Sequence, residues 1–204
     1  MIELLACKIG RNDEVPNIEL AEKLCESMDE KGISEIIDGL KSNDQAVASD
    51  CIKVLYEIGQ RKPELIAVYV NDFITCLSSK NNRIVWGSMT ALSFIAPIEP
   101  SAILERLPEI VSAYKKGSVI TVDNSMSVFA QLCKAGDDYE KQVFPLLLDH
   151  LAACRAKEIP QHAERIAVCI DSGNKETFVK ALNSRISELS DAQKARVLKL
   201  VKRL

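Results

Sequence analysis

Apolar residues along this chain fall in quartets spaced i, i+3, i+4, i+7, and the quartets return every 37 residues. In one set, Ile33, Ile36, Ile37 and Leu40 are followed by Val70, Phe73, Ile74 and Leu77. Then come Leu107, Ile110, Val111 and Tyr114, and finally Phe144, Leu147, Leu148 and Leu151. A second set begins with Ala48, Ile52, Leu55 and Ile58. It continues with Val85, Met89, Leu92 and Ile95, then Val122, Met126, Phe129 and Leu132, and ends with Ile159, Ala163, Ile166 and Cys169. The spacing is that of one face of an α-helix. Each repeat is therefore predicted to be a helix pair, with helix A carrying the second set and helix B the first. Small residues share columns as well: Gly39 with Cys76 and Ala113, Gly59 with Ala96 and Cys133. Small side chains let neighbouring helices approach closely.

Polar stops precede helix A at Ser42-Asn43-Asp44, Asn81-Asn82 and Gly117-Ser118. Their side chains can accept from the unpaired N–H groups of a first helical turn. Helix B is expected after Pro63, after Pro100-Ser101 and after Asp137-Asp138. Pro108 and Pro145 recur 37 residues apart near its first turns and would kink it if interior. Val119-Ile120-Thr121-Val122 is β-branched, but it falls in register for helix A and is read as helix. Ser172-Gly173-Asn174 separates the repeats from a helix over 175–189. Ser190 with Gln193 forms a capping box for a last helix over 191–203. No strand pattern competes.

Two helices joined by short loops cannot bury their apolar faces alone, and stacking buries one continuous core. The expected fold class is all-α: a single solenoid domain over 1–204 with about five helix pairs. Residues 1–30 form an N-terminal cap with helices near 2–9 and 17–29, residues 31–189 the repeats, and 190–204 a C-terminal capping helix. On these residues, with SNDQAVASDCIKVLYEIGQRKPELIAVYVNDFITCLSS as the type unit, the chain resembles the HEAT and armadillo-like helical repeats. The resemblance covers 31–189 and is one of repeat class. It implies a right-handed α-α superhelix acting as a binding scaffold, with helix B on the concave face.

The chain has 204 residues, 47% of them apolar, which excludes wholesale disorder. Its longest uncharged run, 84–98, is 15 residues and interrupted by Gly, Ser, Thr and Pro, too short for a membrane span. Glu3 and the lack of a basic leader argue against a signal peptide. The seven cysteines are odd in number and contain no CxxC pair, so reduced thiols in a cytoplasmic protein are expected. The net charge of −3 conceals a gradient. Residues 1–75 carry 8 basic and 15 acidic side chains, residues 76–150 carry 7 and 8, and residues 151–204 carry 11 and 6.

On helix B, opposite the apolar quartet, one column reads Glu35, Asp72, Glu109, Leu146 and a second reads Asp38, Thr75, Ser112, Asp149. Successive members should lie about one helix spacing, ~10 Å, apart. Such a ladder suits an extended basic segment of another protein, with charge supplying steering and register. The function expected is that of a non-catalytic scaffold, adaptor or regulatory subunit, monomeric or stacked end to end. The alternative is nucleic-acid binding through the basic C-terminal third, centred on Lys194, Arg196, Lys199, Lys202 and Arg203. Some DNA glycosylases are built from HEAT-like repeats, but they use a positively charged concave surface. Here the concave columns are acidic, and the single Trp, Trp86, is on helix A.

No catalytic constellation is evident, and no cofactor is expected. His150 and Cys154, at i and i+4, could offer two metal ligands, but no second pair is placed to complete a structural zinc site. His162 aligns with Cys51, Ser88 and Ser125 in a column expected to be half-buried, which assigns it to packing.

Overall fold

The computed structural model describes residues 1–204. It contains thirteen α-helices joined by short turns, and no strand. The chain divides into two compact units, Met1–Ser125 and Met126–Leu204. The first carries 13 basic and 19 acidic residues and the second 13 and 10, so the charge gradient is also a difference between units.

The first unit holds α1 (Val15–Ser27), α2 (Glu30–Gly39), α3 (Gln45–Arg61), α4 (Glu64–Ala67), α5 (Val70–Cys76), α6 (Asn82–Ile95), α7 (Pro100–Glu105) and α8 (Leu107–Lys116). The start of α9 (Val119–Ala135) belongs to it too. Helix starts follow the polar stops. Asp44 accepts from the N–H groups of Ala46 and Val47, and Asn81 from that of Arg83. Ser118 Oγ accepts from Thr121 N at 3.4 Å, and the β-branched run after it is helical. None of the apolar quartet positions of either unit is exposed. Leu107, Val111, Tyr114, Val122 and Leu148 are half-buried and the others buried. Burying a side chain of this size contributes about 1.5–3 kcal/mol, and these helices owe their stability chiefly to that face.

The glycine columns mark close approach. A Cβ on Gly39 would lie 2.4 Å from Cys51 Sγ, and one on Gly59 would lie 2.9 Å from Ile66 Cδ1. Only a residue without a side chain lets α2 meet α3, and α3 meet α4, at these distances.

Helix B is broken in two of the repeats. In the second repeat it is split into α4 and α5, with Tyr69 at φ −95°, ψ 19° between them. In the third it is split into α7 and α8 at Arg106. Pro108 explains the second break, because its ring would clash with the carbonyl four residues back and it has no N–H to continue the ladder. The same ring at Pro145 is exposed and sits inside α10 without ending it. The predicted helix near 2–9 is a 3-10 turn over Ile2–Leu4 followed by further turns. Its buried N–H groups find side chains instead: Ala6 N donates to Asn17 Oδ1 at 3.0 Å and Cys7 N to Asp50 Oδ2 at 2.8 Å.

Charged groups tie α1, α3 and α6 together. Lys53, with only 7% of its side chain exposed, reaches Glu57 at 2.7 Å and Glu14 at 3.0 Å. Arg61 adds Glu57 and Glu22, and Arg83 pairs with Glu14. The Tyr56 and Trp86 rings lie 5.6 Å apart alongside, with Lys53 over Tyr56 and Arg83 over Trp86.

The second unit continues α9 and adds α10 (Asp137–Ala153), α11 (Ile159–Ile166), α12 (Lys175–Ser184) and α13 (Asp191–Val201). Phe144, Leu147, Ile159, Ala163, Ile166, Phe178, Leu182 and Val197 form its core. Asn174 precedes α12 without capping it through its side chain. It is 5% exposed, and its amide joins Glu140 Oε1, Cys169 O and Asp171 N. The expected helix over 175–189 stops at Ser184 and ends in a 3-10 turn over Ile186–Glu188. The capping box of Ser190 and Gln193 starts α13 as expected.

Candidate functional site

In the first unit, α2, α5 and α8 carry the predicted columns. Glu35, Asp38, Thr75, Glu109 and Ser112 are exposed and Asp72 is half-buried. Lys41, just past α2, lies 3.4 Å from Asp72 and 3.9 Å from Asp38, so the acids of α2 and α5 share one cation. Glu35 accepts from Met1 N at 2.7 Å and from Ile2 N at 3.1 Å. The amino group first, then the Ile2 N–H, holds its carboxyl below the usual range. Thr75 Oγ1 donates to Asn71 O at 2.8 Å, a bond within α5.

Between α5 and α8 lies an open cleft of about 520 Å³. Thr75, Ser112 and Glu109 line it, joined by Lys80, Arg106 and Lys116. Arg106 Nε is 2.5 Å from Glu109 and keeps that carboxyl low. The row is therefore acidic over α2 and the start of α5 and mixed in charge at α8. The three cations escaped the sequence reading because they sit in a loop and at helix ends, outside the 37-residue columns. The pair Lys115-Lys116 just before Gly117 was the one visible signal.

The remaining predicted residues belong to the second unit. Asp149 is exposed on α10 and Leu146 half-buried. On α13, Arg196 holds Glu164 through two bonds of 2.6 and 2.5 Å, and Lys194 lies 3.9 Å from Asp191. Lys199, Lys202 and Arg203 are exposed. Part of the basic cluster is thus spent inside the unit.

The second unit also gathers three metal-ligating side chains. His150 and Cys154 close α10, and His162 lies in the first turns of α11. A donor atom from each lies within 4.8 Å of the others. His150 Nε2 is 2.7 Å from His162 Nδ1. The column of His162 is fully buried rather than half-buried: Cys51, Ser88, Ser125 and His162 are all 0% exposed. The fold brings His162 to His150 and Cys154 because α10 ends at Ala153 and a 3-10 turn, Ala156–Glu158, turns the chain back.

No protein-family model matches the sequence, and no curated protein does either. Solved structures do resemble it. A computationally designed armadillo repeat protein for modular peptide recognition superposes with a TM-score of 0.66 at 14% identity, over 90% of this chain and 85% of that one. A designed armadillo repeat protein in complex with the peptide (KR)4 gives 0.67 at 14% identity, over 90% and 86%. A further engineered protein gives 0.61 at 18% identity, over 100% and 97%. The fold is an all-α repeat fold of the armadillo class. No helix is long and apolar enough to cross a membrane.

Proposed function

We propose that the protein is a non-catalytic scaffold that binds an extended segment of another protein along the row formed by α2, α5 and α8. The observation that carries this reading is the cleft between α5 and α8, which gathers Thr75, Ser112 and Glu109 from two repeats. The Ser112 hydroxyl can bond an extended backbone, and Thr75 Oγ1, whose proton goes to Asn71 O, can accept from one. Basic side chains of the bound segment would meet Glu35, Asp38 and Asp72, exchanging with Lys41 for the latter two. The complex of a like-folded designed protein with a Lys-Arg peptide supports a peptide ligand of this charge. Lys80, Arg106 and Lys116 give the row a polarity, so a segment basic at one end and acidic at the other would bind in one direction.

The test is fluorescence anisotropy with a labelled peptide of alternating Lys and Arg. Asp72→Lys combined with Glu109→Lys should weaken binding by about tenfold or more, with the helical circular dichroism unchanged. Glu35 is left out of the reversal because it also holds the Ile2 N–H. Unchanged affinity in the double variant would remove the row as the binding surface. Nucleic acid at α13 is the competing reading. It would show as binding of a DNA duplex that falls steeply between about 50 and 200 mM salt and is lost in Lys199→Glu with Lys202→Glu.

A further inference from the structure

We propose that His150, Cys154 and His162 form a binding site for a transition-metal dication of the zinc type, independent of the peptide row. Two imidazole nitrogens and one thiolate are the donor set that favours zinc, with cobalt(II) as its spectroscopic substitute. The geometry is nearly assembled. His150 Nε2 and His162 Nδ1 face each other at 2.7 Å, and the Cys154 sulfur completes a triangle no wider than 4.8 Å. At that separation one proton lies between the two nitrogens. Two nitrogens bound to one tetrahedral ion at about 2.0–2.1 Å stand a little over 3 Å apart. The rings need to part by about half an ångström and turn toward a common point, and the sulfur to close in by up to about 1 Å, as the ion takes the place of the shared proton.

The surroundings suit an ion. His150 is 6% exposed and His162 0%, so their rings are held by packing, while Cys154 is half-buried and gives access from solvent. Burial pushes the Cys154 thiol up, and the Arg185 guanidinium beside it opposes that rise. Arg185 is fixed there by Leu151 O at 2.9 Å and by Glu188. The Glu158 carboxylate acts electrostatically on Cys154 and feels His162 in turn. Its side chain is 17% exposed and paired with Arg155. The three side chains leave the fourth position of a tetrahedral ion to a water molecule. Binding forms two metal–nitrogen bonds and one metal–sulfur bond; the thiol releases its proton to solvent, and the proton between the rings passes to the outer nitrogen of its own imidazole by tautomerisation. Affinity must then fall on acidification.

The experiment is a cobalt(II) titration of the reduced full chain, followed by absorption spectroscopy. One equivalent should give the intense visible bands of a four-coordinate ion and a thiolate-to-cobalt charge-transfer band in the near ultraviolet. Zinc(II) should bleach both. In Cys154→Ser, with unchanged circular dichroism, the charge-transfer band should vanish and the affinity drop by about tenfold or more. A band that persists in Cys154→Ser would place the metal on another thiol and overturn the site. A pale six-coordinate spectrum from the unaltered chain would also overturn it, leaving the two histidines as a packed, hydrogen-bonded pair. His162→Asn is the second variant, and competition of the unaltered protein with a chromophoric zinc chelator is a readout that needs no variant at all.

Discussion

A methyl group placed on Gly87 would lie 2.5 Å from Cγ1 of Ile52 and 3.2 Å from its Cγ2. Ile52 is fully buried and β-branched, so these atoms are close to its backbone and cannot swing away. In the middle of α6, Gly→Ala would by helix propensity alone gain up to about 1 kcal/mol. Overpacking of a dense core costs about 1–3 kcal/mol and decides the sign. Gly87→Ala should therefore lower stability by about 1–2 kcal/mol, read as a reduced midpoint in urea. Combining it with Ile52→Ala should cost less than the sum of the two single changes. A midpoint raised by Gly87→Ala would show that α3 and α6 are packed less tightly than described.

The buried cation Lys53 governs how stability depends on pH. Burial alone would lower its ammonium, but the hydrogen bonds to Glu57 and Glu14 raise it instead. Burial would likewise raise Glu14 and Glu57, but Lys53 together with Arg83 or Arg61 brings both below 4.5. Carboxyls lowered on folding contribute stability that is fully present above their unfolded value and lost as pH falls through the folded one. Lys53 contributes below its unfolded value of 10.5, and its share is lost as pH rises beyond that. Urea midpoints measured against pH should be level near neutrality and fall below about pH 4.5, and Glu57→Gln should make that acid limb shallower. Lys53→Met should cost about 1–3 kcal/mol at neutral pH, since Glu57 and Glu14 each lose a partner and are left with Arg61 and Arg83 alone.

Cys7, Cys51 and Cys133 should be slow to react. Burial and then the Asp50 carboxylate push the Cys7 thiol up to about 11, from 9.0. Burial pushes Cys51 up to about 12. The Cys133 thiol is raised by its hydrogen bond with the free thiol of Cys169 and by burial. Only the thiolate attacks, so Cys7 near neutral pH should alkylate with iodoacetamide about a hundredfold more slowly than a free thiol. Asp50→Asn should speed it. Mass spectrometry of the labelled peptides reads each site, and denaturant should expose all seven thiols to fast labelling.

Helix phase was legible because it is local. Ile33, Ile36, Ile37 and Leu40 declare one buried face within eight residues, and Asp44, Asn81 and Ser190 declare helix starts within four. What depends on distant segments was not legible. Nothing near Lys53 announces Glu14, and nothing near Glu22 announces Arg61. His162 looked like packing because its column mates Cys51, Ser88 and Ser125 are small. It meets His150 only because the chain turns back after Ala153. The acidic columns were visible, whereas the cleft cations Lys80, Arg106 and Lys116 occupy positions no periodic search compares.

Several hydrogen bonds described by the structure join residues about one repeat apart. Asn81 reaches Ser49 and Asn124 reaches Thr90 in the first unit, and Arg165 reaches Ser127 in the second. Lys62 likewise caps the carbonyl of Cys25, 37 residues before it. Each such bond spans adjacent layers, and although the Arg83–Glu14 pair reaches one layer further, cohesion is divided mainly into nearest-neighbour parcels. Pulled from its two ends, a chain bonded in this way gives up its layers one after another. Within each unit the force record becomes a staircase whose step length is one repeat.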